Sequence, residues 1–330
     1  MLFLYQKYMN VRIISKSEDL PQMICNNFFH SQELFQIIEK TPGQSPYMAI
    51  ATDENGQIVG HMLAIIRTRG SWIPPYFLSQ GRIFGEGEYS DDIDKEKTFG
   101  LLLQKITQKF KRKLCLYAEF SDVSQKMFGY HYFRQSKYFP VHWQEIHNSL
   151  HSIPPEERIS EKMLQTIEKC YNAGVETRES ETTEEVHGFF KMLNGFYRMK
   201  MRRLIPPEDQ IYELAKSENA KIFITTYRKK IIGGCACVYS EGNAYLWYLA
   251  SKRKSHPTLH PQLMTIWQAI KYAYTHNYAH IFFLDVGLPF KPNPFRDFIL
   301  SFGGKPVAKY HWFRFSIPWI NNLLSWWYSE

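Results

Sequence analysis

Residues 220–239 read AKIFITTYRKKIIGGCACVY: a β-branched and aromatic run, a polar turn at Tyr227-Arg228-Lys229-Lys230, and a second apolar run. That is the pattern of a β-hairpin. The same shape stands at residues 46–65, PYMAIATDENGQIVGHMLAI, with its turn at Asp53-Glu54-Asn55-Gly56. The likeness continues downstream of each hairpin. Residues 95–113 set Phe99, Leu102, Leu103, Ile106 and Phe110 at helical spacing and lead into the apolar run LCLYAEF at 114–120. Residues 259–276 do the same with Leu263, Ile266, Trp267, Ile270 and Tyr274, and lead into IFFLDV at 281–286. Apolar residues at i, i+3, i+4 and i+7 make amphipathic helices, and short β-rich runs make strands. Two copies of hairpin, helix and strand thus lie about 170 residues apart. Helices joining strands of one sheet make an α/β, or layered α+β, domain.

Two such domains suit a chain of 330 residues. The seam falls in SLHSIPPEERISEKMLQTIEK, residues 149–169, where Pro154-Pro155 precede a charged helix start. It has no Gly/Ser-rich run, so it opens the second domain rather than tethering it loosely. The expected domains are 1–150 and 151–330, with a linker helix over about 154–174 and an amphipathic C-terminal segment at 317–330.

Hydrophobic residues make up 44% of the chain, which excludes a disordered protein. Aromatics make up 16%, a load that serves either a large core or a binding cleft. No run approaches the ~18 to 20 apolar residues needed to cross a bilayer as a helix. The apolar start at Met1–Tyr5 is cut short by Gln6 and Lys7, too short for a signal-peptide core, so a cytoplasmic location is expected. Five cysteines (Cys25, Cys115, Cys170, Cys235, Cys237) show no zinc-finger or redox spacing and read as buried, reduced thiols. Among 12 histidines, His147 and His151 have i, i+4 spacing but no acidic third ligand nearby, so no metal is expected. No nucleophile-elbow motif supports Ser/His/Asp chemistry.

Lys and Arg outnumber Asp and Glu by 40 to 32, a net charge of +8, and the excess is clustered. Arg198, Lys200, Arg202 and Arg203 fall within six residues at the end of a helical pattern. Lys252, Arg253 and Lys254 follow a strand and lead into the helix that begins near Leu259. Guanidinium groups grip phosphate through paired hydrogen bonds, and clustered cations raise the local concentration of anions. A third region, LDVGLPFKPNPFR at 284–296, leaves a strand and crosses a glycine and three prolines. There Asp285 is a candidate general base for an attacking amine, and Lys291 and Arg296 are candidate stabilisers of a charged transition state. At the C-terminus, Trp319, Leu323, Trp326 and Trp327 share one helical face, a pattern that suits either the domain core or a bilayer interface.

The duplicated hairpin, helix and strand resemble the tandem GNAT-like domains of Fem-type aminoacyl transferases, which build peptidoglycan bridges from aminoacyl-tRNA. Asn27-Phe28-Phe29-His30-Ser31 before the helix at 32–40 is similar to the family's opening motif. MLQTIEKCYNAGV at 163–175 resembles its charged helix ending in Gly-Val. Ile232-Gly233-Gly234, AYLWYLAS at 244–251 and FILSFGG at 298–304 resemble its Gly-Gly hairpin, aromatic strand and Phe-Gly-Gly ending. The likeness spans roughly residues 25 to 315. It implies two GNAT-like domains, each a mixed, largely antiparallel sheet flanked by helices.

The resemblance further implies transfer of an aminoacyl or other acyl group onto an amine of a phosphate-bearing, nucleotide- or lipid-linked envelope precursor. It implies no tightly bound cofactor. The acyl donor would be aminoacyl-tRNA, which a basic protein suits; the alternative is a GNAT-type N-acyltransferase that uses acyl-CoA or an acyl carrier on a polysaccharide or lipid amine. Phosphate contacts would fall to Arg198, Lys200, Arg202, Arg203, Lys252 and Arg253. Two positions depart from the family: Ile299 and Ile38 stand where it usually carries lysines. Arg296 or Lys291 would then replace the first as an electrostatic stabiliser. The loop after Ser251 also lacks the glycines of a CoA pyrophosphate loop. A catalytically decayed binding protein of the same fold is the non-enzymatic alternative.

Overall fold

The structure, a computed structural model, describes residues 9–72, 75–122, 128–197, 205–284, 286 and 292–328, with the side chains at 71, 72, 75 and 76 left aside. The chain forms two compact units: Met1–Trp143 with Lys309–Glu330, and Gln144–Ala308. The elements that begin in the first stretch are β1 (Asn10–Ile14), α1 (Gln32–Glu39), β2 (Gln44–Thr52), β3 (Ile58–Trp72), β4 (Pro75–Phe84), β5 (Glu88–Tyr89), α2 (Lys95–Arg112), β6 (Tyr117–Ser121), α3 (Tyr130–Gln135) and β7 (Phe139–Ser149). There follow α4 (Pro155–Arg158), α5 (Glu161–Asn172), β8 (Val175–Glu179), α6 (Thr183–Tyr197), α7 (Glu208–Ala215), β9 (Ala220–Tyr227), β10 (Lys230–Ser240), β11 (Asn243–Ser251), α8 (Pro261–Thr275), β12 (His280–Phe283), α9 (Pro294–Leu300), β13 (Lys305–Phe315) and α10 (Pro318–Trp327).

The expected duplication is present strand for strand. In the first unit the order is β1-β2-β3-β4-β6, antiparallel except for the parallel β4–β6 pair. In the second it is β8-β9-β10-β11-β12, antiparallel except for the parallel β11–β12 pair. The parallel pairs are those joined through a helix, α2 or α8, because a parallel return needs a crossover.

The domain boundary differs from expectation at the C-terminus. The end of β13 pairs antiparallel with β6, from His311↔Ser121 to Phe315↔Tyr117, so residues 309–330 belong with the first unit and not with the second. An edge strand presents unpaired backbone groups, and a distant segment satisfies them as well as a nearby one. In the second unit the matching position beside β12 is filled by the end of β7, from His280↔Ser149 to Phe283↔Ile146. The linker helix also differs. It is two helices, α4 and α5, separated where Ile159 turns inward and Ser160 caps α5 through Met163 N–H.

Both hairpins are buried on both faces, hence their near-continuous apolar runs. In the first unit Ala49, Ala51, Met62, Ala64 and Ile66 pack with Phe99, Leu102, Leu103 and Ile106 of α2, while Met48, Ile50, Leu63 and Ile65 are buried on the other face. Asp94 caps α2 by accepting Lys97 N–H at 3.0 Å. The motif at 27–31 proves to be capping chemistry: Asn27 Oδ1 accepts Phe29 N–H at 2.9 Å, and Ser31 Oγ accepts Leu34 N–H at 3.0 Å. His30 is buried and accepts Leu63 N–H on Nδ1 at 3.0 Å, tying the motif to β3. Burial, then the nearby His61, lowers its pKa to about 3, so the imidazole stays neutral.

Helix α10 is held to the first unit by its one buried residue, Asn321, which accepts Phe315 N–H at 2.8 Å and donates to the Lys137 carbonyl at 3.1 Å. Its aromatic side is not core: Trp319, Trp326 and Trp327 are 68%, 71% and 71% exposed.

Candidate functional site

The second unit differs from a plain sheet at β11. Along the β10–β11 ladder the register jumps from Cys237↔Leu246 to Ala236↔Tyr248, so Trp247 is an extra residue, a β-bulge. A bulge bends its strand and raises its twist. At the same place the parallel ladder to β12 stops, at Leu246↔Phe283. β11 continues to Ser251, and among the described residues no strand pairs with Leu249–Ser251 on the β12 side. The sheet opens into a backbone edge.

Helix α8 ends in this opening. Gly233 and Gly234 explain how it comes so close. A Cβ on Gly233 would lie 2.4 Å from Thr265 Oγ1 and 3.0 Å from the Pro261 carbonyl, whereas one on Gly234 would lie 2.6 Å from the Phe189 ring. Adjacent strand residues point to opposite faces, so α8 and α6 cover opposite faces of the sheet, each against a missing side chain. Thr265 Oγ1 donates to the Pro261 carbonyl at 2.8 Å and lies 2.7 Å from Thr225 Oγ1, which pins the first turn of α8 to β9. The first intrahelical bond of α8 is Met264 N–H to the His260 carbonyl. Pro261 has no N–H, so the Gln262 and Leu263 amides form the positive end of the helix. His260 holds φ 41°, a left-handed backbone that costs a non-glycine residue energy.

Beside this helix end lies a pocket of about 260 Å³, lined by Arg253, His260, Gln262, Leu263, Phe295 and Phe298 among others. Two of the sequence candidates' regions therefore meet: the basic loop after β11, and the start of α9. Phe295 and Phe298 reach the pocket because Asn293 caps α9, accepting Phe295 N–H at 3.1 Å and donating to the Val286 carbonyl at 2.6 Å. The loop's own amides are committed elsewhere. Ser255 N–H and His256 N–H both bond the Lys252 carbonyl at 3.1 Å, and Lys252 N–H bonds Ile232 at 2.8 Å. An anion here would be met by the Arg253 side chain and the α8 amides, not by a glycine-rich cradle.

The other sequence candidates divide as follows. Lys252 is exposed and does not line the pocket; Arg296 is half-buried on α9 and does not line it either. Asp285, Lys291, Arg198, Lys200, Arg202 and Arg203 lie outside the described residues. Ile299 and Ile38, the departures from the Fem pattern, are both completely buried, Ile299 beside Phe302 in the second unit's core. Positions packed this way hold no ammonium. Cys115, Cys170, Cys235 and Cys237 are buried thiols as expected, while Cys25 is only half-buried. His147 and His151 pack edge-on against His280, at 5.5 and 5.3 Å. The pocket residues assigned no site role from sequence, His260, Gln262, Phe295 and Phe298, had one usable signal: Pro261 and Pro294, each at the first position of a helix.

Comparison with known proteins bears on the same unit. Residues 165–292 match the acetyltransferase (GNAT) domain family. No curated protein matches the chain in sequence. Among solved structures, FemX superposes with a TM-score of 0.62 at 9% identity, covering 94% of this chain and 96% of FemX. L-PGS from Bacillus licheniformis gives 0.58 at 12% identity, over 90% and 92% of the two chains. A tandem GNAT protein from the clavulanic acid biosynthesis pathway gives 0.56 at 8% identity, over 93% and 98%. Among the described residues, no helix is long and apolar enough to cross a membrane. The fold is that of tandem GNAT proteins, and FemX shares it.

Proposed function

We propose that this chain transfers an aminoacyl group from tRNA to an amine of a phosphate-bearing cell-envelope precursor, with the chemistry at the open edge of β11. The observation that carries the reading is the meeting of three features: the end of the β11–β12 ladder at Leu246↔Phe283, the free first-turn amides of α8, and Arg253. Acyl transfer to an amine passes through a tetrahedral intermediate whose carbonyl oxygen gains negative charge. Fixed backbone N–H donors stabilise that oxygen without reorganising. The edge at Leu249–Ser251 supplies such donors, and Arg253 supplies a cation for a phosphate of donor or acceptor. Asp285 and Arg296 remain the proposed base and second cation.

The match to an acetyltransferase family favours a second donor, acyl-CoA or an acyl carrier. The loop at 252–256 argues against CoA pyrophosphate, because its amides close their own turn. Envelope precursors are often held at a lipid surface, and α10 offers the means. Its exposed tryptophans stand on a segment with no acidic residue from Gly303 to Ser329. Lys137 and Arg314 stand beside the helix, since Asn321 donates to the Lys137 carbonyl and accepts the N–H of Phe315, the residue after Arg314; burial, then these two cations, pushes the Lys111 ammonium below its ordinary pKa. Aromatic rings beside cations fit an anionic lipid surface.

The test is product mass. The protein is incubated with a phosphate-linked muropeptide and, in separate arms, charged tRNA, acetyl-CoA or acyl carrier protein. An aminoacyl mass added to the acceptor only with charged tRNA supports the reading. Transfer only from CoA or the carrier moves the assignment to the second donor. Binding of the muropeptide without turnover in any arm identifies a binding protein instead.

A further inference from the structure

Three metal-ligating side chains that the transfer chemistry does not use converge in the first unit. β5 pairs with β3 so that His61 and Glu88 stand directly opposite each other. Glu88 Oε1 accepts the backbone N–H groups of Asn26 and Asn27, the residues that follow Cys25, at 2.7 and 2.9 Å. Its other oxygen, Oε2, lies 3.1 Å from His61 Nε2, and Cys25 Sγ lies 3.8 Å from that same nitrogen. All three ligand atoms fall within 4.8 Å of one another. His61 and Glu88 line a pocket of about 770 Å³, together with Tyr89, Asn26, Ile24 and Gln22 among others.

We propose that Cys25, His61 and Glu88 bind a divalent transition metal of the zinc type, leaving one coordination position open to this pocket. Geometry decides between this and a thiol nucleophile. In a nucleophile–base–acid relay the acid holds the imidazole nitrogen opposite the thiol; here thiol and carboxylate address one nitrogen, so a shared centre fits and a relay does not. Tetrahedral bond lengths of ~2.3 Å to sulfur and ~2.0–2.1 Å to nitrogen and oxygen imply ligand separations of roughly 3.6 Å (S to N) and 3.4 Å (N to O). The observed 3.8 and 3.1 Å straddle these values. A mixed S, N, O donor set suits zinc or cobalt rather than calcium or magnesium, which take oxygen alone. The Asn26 and Asn27 amides fix the carboxylate from behind, as supporting hydrogen bonds do around bound metals. Three protein ligands with an open fourth position make a reactive site rather than a closed structural one.

The whole protein, stripped with chelator, is titrated with Co(II). A 1:1 complex is expected, with the visible bands of tetrahedral cobalt and a thiolate charge-transfer band that Zn(II) displaces. Cys25→Ser should remove the charge-transfer band and weaken binding at least tenfold, while Cys115→Ser leaves both unchanged. Zn(II) should also slow iodoacetamide alkylation of Cys25 at least tenfold in the unaltered protein, a readout that needs no variant to fold. Absence of saturable binding at micromolar metal, a band that survives Cys25→Ser, or alkylation indifferent to Zn(II) would each overturn the proposal.

Discussion

The two units share one strand order but treat its critical joint in opposite ways. In the first, β4 and β6 pair from Gln80↔Tyr117 to Phe84↔Ser121 and end together, and Gly85 N–H adds a bond to the Ser121 carbonyl at 2.8 Å. In the second, β11 is bulged at Trp247 and outruns β12. What fills the first unit's joint is a buried ion network. Glu119 pairs with Arg82, accepts from Gln80 Nε2 at 3.0 Å, and meets His311 Nδ1 at 3.0 Å. The same topology thus makes a sealed scaffold once and an open edge once. One inserted residue and a shorter ladder separate them.

The comparison breaks if the sealed joint proves dispensable for stability. Burial alone would raise the Glu119 pKa, but Arg82 and then His311 hold it down to about 2, against an ordinary 4.5. A depressed carboxylate contributes stability that is complete above its unfolded value and is lost as pH falls toward the folded one. Unfolding free energy should therefore fall between about pH 4.5 and pH 2, and Glu119→Gln should flatten that slope. Glu119→Ala strands a buried guanidinium and should cost about 3 to 5 kcal/mol at neutral pH by denaturant titration. Turnover at the second unit should survive wherever the protein stays folded.

Paired glycines sharpen the contrast. Gly233→Val drives a side chain into Thr265 and the Pro261 carbonyl, so it should cost about 1 to 3 kcal/mol and abolish most transfer by shifting α8. Gly81→Ala meets the Phe110 ring at 2.8 Å in the first unit and should cost a similar amount without touching turnover. Melting temperature and transfer rate, read side by side, separate the two. A smaller effect is expected at Arg253, which is exposed and packs against little. Arg253→Ala should lower kcat/KM by about 10- to 100-fold, the worth of one charge-assisted hydrogen bond, with no change in melting temperature. Replacing Trp319, Trp326 and Trp327 with Ser should lower partition onto anionic vesicles about tenfold or more and leave stability unchanged, measured by co-sedimentation.

Much of this was legible in the sequence because it is local. The hairpins declare themselves by their apolar runs, and α2 at Lys95–Arg112 and α8 at Pro261–Thr275 by their periodicity. The turn between β9 and β10 was found from polarity alone, although Arg228 and Lys229 take φ values of 49° and 60° that usually call for Asn or Gly. The return of β13 to β6 was not legible, because which edge a strand covers is settled by distant partners. The bulge at Trp247 leaves no composition signal in an aromatic strand. The Cys25, His61 and Glu88 cluster escaped for a related reason: a cross-strand pairing joins residues whose sequence spacing matches no ligand motif. Arg253 was found, since a basic loop between strand and helix has chemistry whatever the fold.

The contrast between open and sealed joints reduces to one measurement. Amide hydrogen exchange is followed at Leu249–Ser251 of β11 and at Gln80–Phe84 of β4, with and without a non-hydrolysable aminoacyl-adenosine mimic together with the muropeptide. Added ligands should slow exchange at the β11 edge and leave the β4 amides, already laddered on both sides, unchanged. Protection at β4, or none at β11 under conditions where the ligands bind, would contradict an acyl-transfer site at the open edge of the second unit.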